Sequence, residues 1–189
     1  MTTQTPAVAF SHIGIYVSDI ERMTRFYEQF LGFMVTDLGE LDTPVGKVGL
    51  VFLSREPTEH HQIVLATGRP ENVGFNILNQ ISFRIDTLAS LRGLYNALVS
   101  GDMQTEVSEV LPACHGNALS VYVRDPEGNR LELFVDTPWY VNQPLRVPLD
   151  FSLSDEQIMS WAEGHARSLP GFKPRAQWVA EMSARMGLS

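Results

Sequence analysis

This 189-residue chain is short of sulfur, of basic charge and of unbroken apolar sequence, and each shortage removes a class of protein. Its one cysteine, Cys114, has no partner for an internal disulfide. A stapled secreted scaffold is therefore excluded, and a reducing cytoplasm is the expected location. Fourteen Lys and Arg stand against 22 Asp and Glu, a net charge of -8 with no basic cluster. That balance argues against a nucleic-acid partner and against an anionic membrane surface. No apolar run approaches the ~18 residues of a membrane-crossing helix. The opening MTTQTPAVAF lacks a basic segment ahead of an apolar one, so no secretory leader is expected there. No phosphate-cradling loop or dinucleotide fingerprint occurs, and Gly116-Asn117 and Gly128-Asn129 read as turn formers. With 44% hydrophobic and 19% charged residues, a packed core is expected instead.

The chain repeats itself. Ser11-His12-Ile13-Gly14-Ile15-Tyr16-Val17-Ser18-Asp19 aligns with Asn79-Gln80-Ile81-Ser82-Phe83-Arg84-Ile85-Asp86, so that His12 and Gln80 correspond. Both stretches alternate at a strand period and run into an Asp suited to cap a helix. Helices opening at Ile20 and at Leu88 follow, then strand-like runs at 45–53 and 62–66 in the first copy and at 118–124 and 130–135 in the second. The expected fold is α+β: two βαβββ modules, about 8–68 and 78–137, forming a curved mixed sheet around a cavity. Residues 138–189 add an extended segment and two helices, the first capped by Ser154 with Gln157 at its third position. This extension reads as a packing or dimerisation appendage without chemistry of its own.

Alternation assigns the faces. Ile13, Ile15 and Val17, then Ile81, Phe83 and Ile85, then Val121 and Val123, then Leu131, Leu133 and Val135, are the packing sets. Opposite them stand His12, Gln80, Ser82, Ser120, Tyr122 and Glu132, and of these His12, Gln80, Tyr122 and Glu132 line one concave face if both modules curve alike. Taken alone, His12 reads as a structural histidine and Glu132 as a carboxylate on a solvated sheet face. Together, a His, a carboxylate and one more N or O ligand on adjacent strands suit a facial metal site with open positions.

The opening Ser-His-Ile-Gly-Ile-Tyr-Val, the duplication, and Asp125-Pro126-Glu127-Gly128-Asn129-Arg130-Leu131-Glu132-Leu133-Phe134 resemble the vicinal oxygen chelate superfamily. That superfamily contains glyoxalase I, extradiol dioxygenases and bleomycin- and fosfomycin-resistance proteins. Within it the chain is most similar to one-domain extradiol dioxygenases of biphenyl-diol type. The resemblance implies His12 and Glu132 as metal ligands and His61, second of the pair His60-His61, beside the substrate. It implies Tyr122, ten residues before Glu132, as a hydrogen-bond donor to a substrate oxygen, and His115 as an acid-base histidine. The implied cofactor is Fe(II), the implied partners are a small aromatic diol and O2, and a homodimer is expected. Phe52, Phe75 and Phe134 are candidate walls for the arene. One position departs from the pattern: Gln80 stands where these enzymes carry their second metal histidine. Gln80 as third ligand, completion by His61 or His115, a metal such as Mn, Ni, Co or Zn, and no metal at all stay open. So do a metal-dependent lyase or isomerase of glyoxalase type and a metal-free small-molecule-binding protein.

Overall fold

Asp19 ends the first strand and starts the first helix, its Oδ1 accepting from the backbone N–H of Arg22 at 2.9 Å. A computed structural model of the chain describes residues 8–44 and 46–188. The opening seven residues, read above for a leader, and Val45, given above as a strand start, lie outside the described residues. The described chain divides into two units, one ending at Asn76 and one beginning at Ile77.

The first unit runs β1 (Ile13–Val17), α1 (Ile20–Leu31), β2 (Met34–Thr43), β3 (Gly46–Ser54) and β4 (Ile63–Thr67). Its sheet has the order β1-β4-β3-β2, with β1 parallel to β4 and the other pairs antiparallel. Helix α1 places Met23, Phe26, Tyr27 and Leu31 on one buried stripe. It closes on Gly32, whose φ of 68° turns the chain so that Gly32 N–H reaches the Glu28 carbonyl and Phe33 N–H the Tyr27 carbonyl. Val17, Leu53 and Leu65 complete this core at 0% exposure, as the alternation requires.

The second unit repeats the plan with β5 (Ile81–Arg84), α2 (Leu88–Ser100), β6 (Ser108–Cys114), β7 (Ala118–Arg124) and β8 (Arg130–Asp136). The extension adds β9 (Trp139–Tyr140), β10 (Val147–Pro148), α3 (Asp155–Arg167), β11 (Lys173–Pro174) and α4 (Arg175–Met186). The sheet order is β10-β6-β7-β8-β5, so a strand of the extension becomes the sheet edge. The cap of α2 is Thr87 and not the expected Asp86. The Thr87 side chain accepts from Ser90 N, while Asp86 Oδ1 accepts from Thr87 N. Ser154 and Gln157 do form the reciprocal capping box of α3.

Two of the longer strands carry little sequence signal. β2, Met-Val-Thr-Asp-Leu-Gly-Glu-Leu-Asp-Thr, is almost wholly exposed, so few of its residues carry a burial signal. β6 contains Pro112 and a register shift between Ser108 and Leu111, which break its alternation.

The turn between β7 and β8 explains the Asp-Pro-Glu-Gly-Asn sequence. Asp125 is buried and its Oδ1 accepts from the backbone of Glu127 at 3.0 Å and of Asn129 at 2.8 Å. Its Oδ2 accepts from Asn129 Nδ2 at 2.7 Å, and Gly128 takes the required φ of 80°. Burial pushes the Asp125 carboxyl up despite these donors. The turn sets the register that faces Tyr122 with Glu132.

The extension docks on the second unit through Arg92 and Asp155 at 2.8 Å, Arg175 and Asp136 at 2.6 Å, and the Tyr95 and Phe151 rings at 4.8 Å. On α3, Ile158, Ala162 and Ala166 form the buried stripe. Among the described residues, no helix is long and apolar enough to cross a membrane.

Candidate functional site

In the second unit, β8 turns Glu132 to the face opposite Leu131 and Leu133, where it is 8% exposed. Registers Tyr122↔Glu132 and Ser82↔Glu132 bring β7 and β5 residues alongside it. Glu132 Oε1 accepts from Ser120 Oγ and from Tyr122 Oη, each at 2.8 Å. Its Oε2 accepts from Ser82 Oγ and from Gln80 Nε2, each at 2.7 Å. The second Gln80 amide hydrogen goes to Ser82 Oγ at 2.9 Å. Four donors fill the accepting capacity of a carboxylate and fix its orientation.

His115 extends this network. Its Nε2 lies 2.9 Å from Tyr122 Oη and 3.6 Å from Glu132 Oε1, and its Nδ1 lies 2.7 Å from the Leu145 carbonyl. A carbonyl only accepts, so Nδ1 carries a proton and Nε2 is the nitrogen presented to Tyr122. Tyr122 has one hydroxyl proton for two acceptors. A proton added at Nε2 lets His115 donate to Tyr122 while Tyr122 donates to Glu132, so the trio has a place for one further proton. Burial first, then the Glu132 carboxylate, push the Tyr122 hydroxyl well above the ordinary phenol range. It is therefore a neutral donor at working pH.

In the first unit, the parallel β1–β4 pairing sets His12 beside His61, with ring centroids 4.2 Å apart. His60 Nδ1 and His61 Nδ1 share a hydrogen bond at 2.8 Å. The Phe52 ring packs 5.6 Å from His60 and 5.2 Å from His61, and His60 Nε2 is 3.6 Å from Asp37 Oδ2. Desolvation, with the neighbouring His12 and His60, holds His61 below the usual imidazole range, so it is neutral at pH 7. Converting His12 to Ala removes one of these charges and is expected to raise the His61 pKa. Imidazole chemical shifts followed against pH in metal-free protein measure it, and an unchanged or lowered value contradicts the coupling.

The structure thus joins Gln80, Tyr122, Glu132 and His115 within the second unit and His12 with His61 within the first. Ser82 and Ser120, which the alternation placed on the same face, are carboxylate donors that sequence reasoning did not single out. Leu145 and Arg146 were missed entirely, because the extension was read as lacking chemistry. Phe134 carries the Arg84 guanidinium 5.1 Å over its ring, and Phe75 is 80% exposed. Cys114 is buried, and burial pushes its thiol up, away from nucleophile behaviour.

Paired βαβββ units with a buried carboxylate and its donors on a sheet face define a duplicated α+β protein built around strand-borne polar groups. The chain belongs to the Glyoxalase/Bleomycin resistance protein/Dioxygenase superfamily, whose family model matches residues 9–133. It is 30% identical over 138 residues to biphenyl-2,3-diol 1,2-dioxygenase 2 of Rhodococcus globerulus, a match covering 71% of this chain and 65% of that protein. Biphenyl-2,3-diol 1,2-dioxygenase 3 of the same organism is also 30% identical, over 139 residues and the same shares. The chain thus spans less than two thirds of the length of these relatives. The fold is shared with a glyoxylase/bleomycin resistance protein/dioxygenase domain from Frankia sp., at a TM-score of 0.54 and 19% identity over 70% of this chain and 94% of that one. It is shared as well with a fosfomycin resistance protein from Mesorhizobium loti, at 0.50 and 22% over 70% and 94%.

Among the described residues no three His, Cys, Asp or Glu side chains gather to hold a metal, and a cation at Glu132 would have to replace one of its four donors, but the surroundings of this carboxylate favour added positive charge. Glu132 is buried, its four hydrogen-bond donors are neutral, and its neighbour within ion-pair range is His115, with no Lys or Arg there among the described residues. A buried carboxylate in such surroundings is stabilised by added positive charge. The hydroxyls of Ser120 and Tyr122 are the kind of donors that orient a ligating carboxylate. Gln80 presents its nitrogen to Glu132, so ligation through its oxygen requires a half-turn of the amide.

Proposed function

We propose that the protein is a non-haem Fe(II)-dependent extradiol dioxygenase, cleaving the ring of a catechol-type substrate with O2. The observation that carries this reading is the Glu132–Tyr122–His115 constellation on one sheet face. It lies in a chain 30% identical to two biphenyl-2,3-diol 1,2-dioxygenases. Glu132 and Gln80 would hold the iron on the second unit. Bound there, Fe(II) supplies a Lewis acid that gathers diol and dioxygen and stabilises anionic oxygen.

The protein's own groups do the rest. The neutral Tyr122 hydroxyl would turn its one proton from Glu132 to a substrate oxygen. On the first unit, His61, neutral at pH 7, is available as a proton acceptor at a ring nitrogen. His115 Nε2 takes up or returns a proton next to Tyr122 without breaking the network.

Oxygen uptake by iron-loaded protein with biphenyl-2,3-diol and with catechol tests the reading. Diol-dependent uptake yielding a ring-opened product is expected, and no uptake with either of these diols or with 3,4-dihydroxybenzoate overturns it. A Gln80→His substitution is expected to raise retained iron after gel filtration, because imidazole is the stronger donor to Fe(II). Equal or lower retention removes Gln80 from the ligand set. The amide at Gln80 also favours a second reading, a metal-dependent lyase or isomerase of glyoxalase type, whose turnover would proceed without O2.

A further inference from the structure

The C-terminal extension returns to the site after the family-matched residues end. Residues 143–146 run past His115 just before β10 pairs with β6 through Val147↔Cys114. Gln143 Nε2 donates to the His115 carbonyl at 2.7 Å, and Gln143 Oε1 accepts from Leu145 N at 3.0 Å. The Leu145 carbonyl then receives the His115 Nδ1 proton. Arg146, next along, lays its guanidinium 5.0 Å over the Tyr122 ring. Tyr122 stands on the Glu132 face of the sheet, so Arg146 brings a permanent cation to that face. Arg146 is exposed, and among the described residues no carboxylate pairs with it. Seven other basic residues do sit in such pairs: Lys47, Arg84, Arg92, Arg124, Arg167, Lys173 and Arg175.

We propose that Arg146 is the anion-binding subsite of the candidate active site, and that the substrate is an aromatic compound bearing a carboxylate. The substrate's ring oxygen faces the Tyr122 hydroxyl while its acidic group faces Arg146. The Tyr122 ring beneath its guanidinium holds Arg146 in place, and the exposed side chain keeps N–H donors available for a contact with the acid. In a chain of net charge -8, an unpaired arginine at the site is the local feature that attracts an anion against the field of the whole protein. This inference deepens the dioxygenase reading and rests on it for the diol, but the subsite itself is tested without turnover.

Binding of 4-hydroxybenzoate and of phenol, neither of which is an extradiol substrate, is measured by calorimetry on the full chain as wild type, Arg146→Met and Arg146→Lys. Wild type is expected to bind the acid roughly tenfold or more tightly than phenol, as a charge-assisted hydrogen bond implies. Arg146→Met keeps the stem over Tyr122 and is expected to abolish that preference, while Arg146→Lys retains part of it. Thermal melting confirms that both variants fold. Equal binding of acid and phenol by wild type, binding of neither, or a preference that survives in Arg146→Met overturns the subsite. Acid binding that depends on Arg146, without oxygen uptake on any diol, would sink the dioxygenase reading and keep the subsite. Oxygen uptake indifferent to a ring carboxylate would do the reverse.

Discussion

A Glu132→Ala protein is expected to lose about 3 kcal/mol of stability and all detectable bound metal. Removing the carboxylate orphans four donors at once. Gln80 and Ser82 are within reach of water and recover partners, whereas the Ser120 and Tyr122 hydroxyls are buried at 0% and 8% exposure. Tyr122 can turn its proton to His115 Nε2, so the loss is the roughly 1–3 kcal/mol of the unsatisfied Ser120 hydroxyl together with the cavity left by the missing side chain. Glu132→Gln separates charge from hydrogen bonding. Its amide offers one acceptor oxygen, and its nitrogen must point at two groups that now donate, so one pair of hydroxyls has to reverse. Serines can do so and Tyr122 can turn to His115, so the expected loss falls to about 1 kcal/mol while metal binding is still lost. Urea melts and metal analysis on the same samples check both. A Glu132→Ala protein as stable as wild type would mean that the network is not formed in solution.

Gly116→Ala is expected to be more damaging, at about 3 kcal/mol or more, despite adding a single methyl group. Gly116 sits at φ +71°, a left-handed conformation that penalises any side chain. A Cβ there would collide with Val141 Cγ2 and come within 3.1 Å of Leu145 Cδ2. Val141 cannot yield cheaply, because Asn117 grips its backbone on both sides, by Val141 N to Asn117 Oδ1 at 2.6 Å and Asn117 Nδ2 to Val141 O at 3.1 Å. The strain therefore pushes the extension away from β6 and takes Leu145 and Arg146 with it. The His115 Nδ1 proton should lose its protection from solvent exchange in this variant. Unaltered melting and an unaltered His115 signal would show that the extension is not clamped against Gly116.

How much of this was legible in the sequence differs from residue to residue. The duplication was legible because Asp19 and the strand before it repeat, and because local periodicity needs no distant partner. Glu132 stood out as a carboxylate between two large aliphatics, and the structure places it on the face opposite them. The α2 cap was misplaced by one residue because Asp86 and Thr87 are both good capping types, and only the backbone geometry at Thr87 chooses. β2 was unreadable for a different reason. It is a long exposed partner of β3, held by backbone hydrogen bonds that leave no hydrophobic imprint.

For the candidate site, the sequence by itself determined which side of its own strand each residue takes: a strand alternates with period two, so Gln80, Ser82, Ser120, Tyr122 and Glu132 fall opposite the packing residues of the second unit from local pattern. Their hydrogen-bond partners belong to tertiary structure. That Gln80 turns its nitrogen to Glu132, that His115 presents Nε2 to Tyr122, and that Arg146 returns over the same ring all depend on strand registers and on an extension folding back. Local propensity carries no information about contacts between residues dozens of positions apart, and those contacts give the site its protonation and its charge.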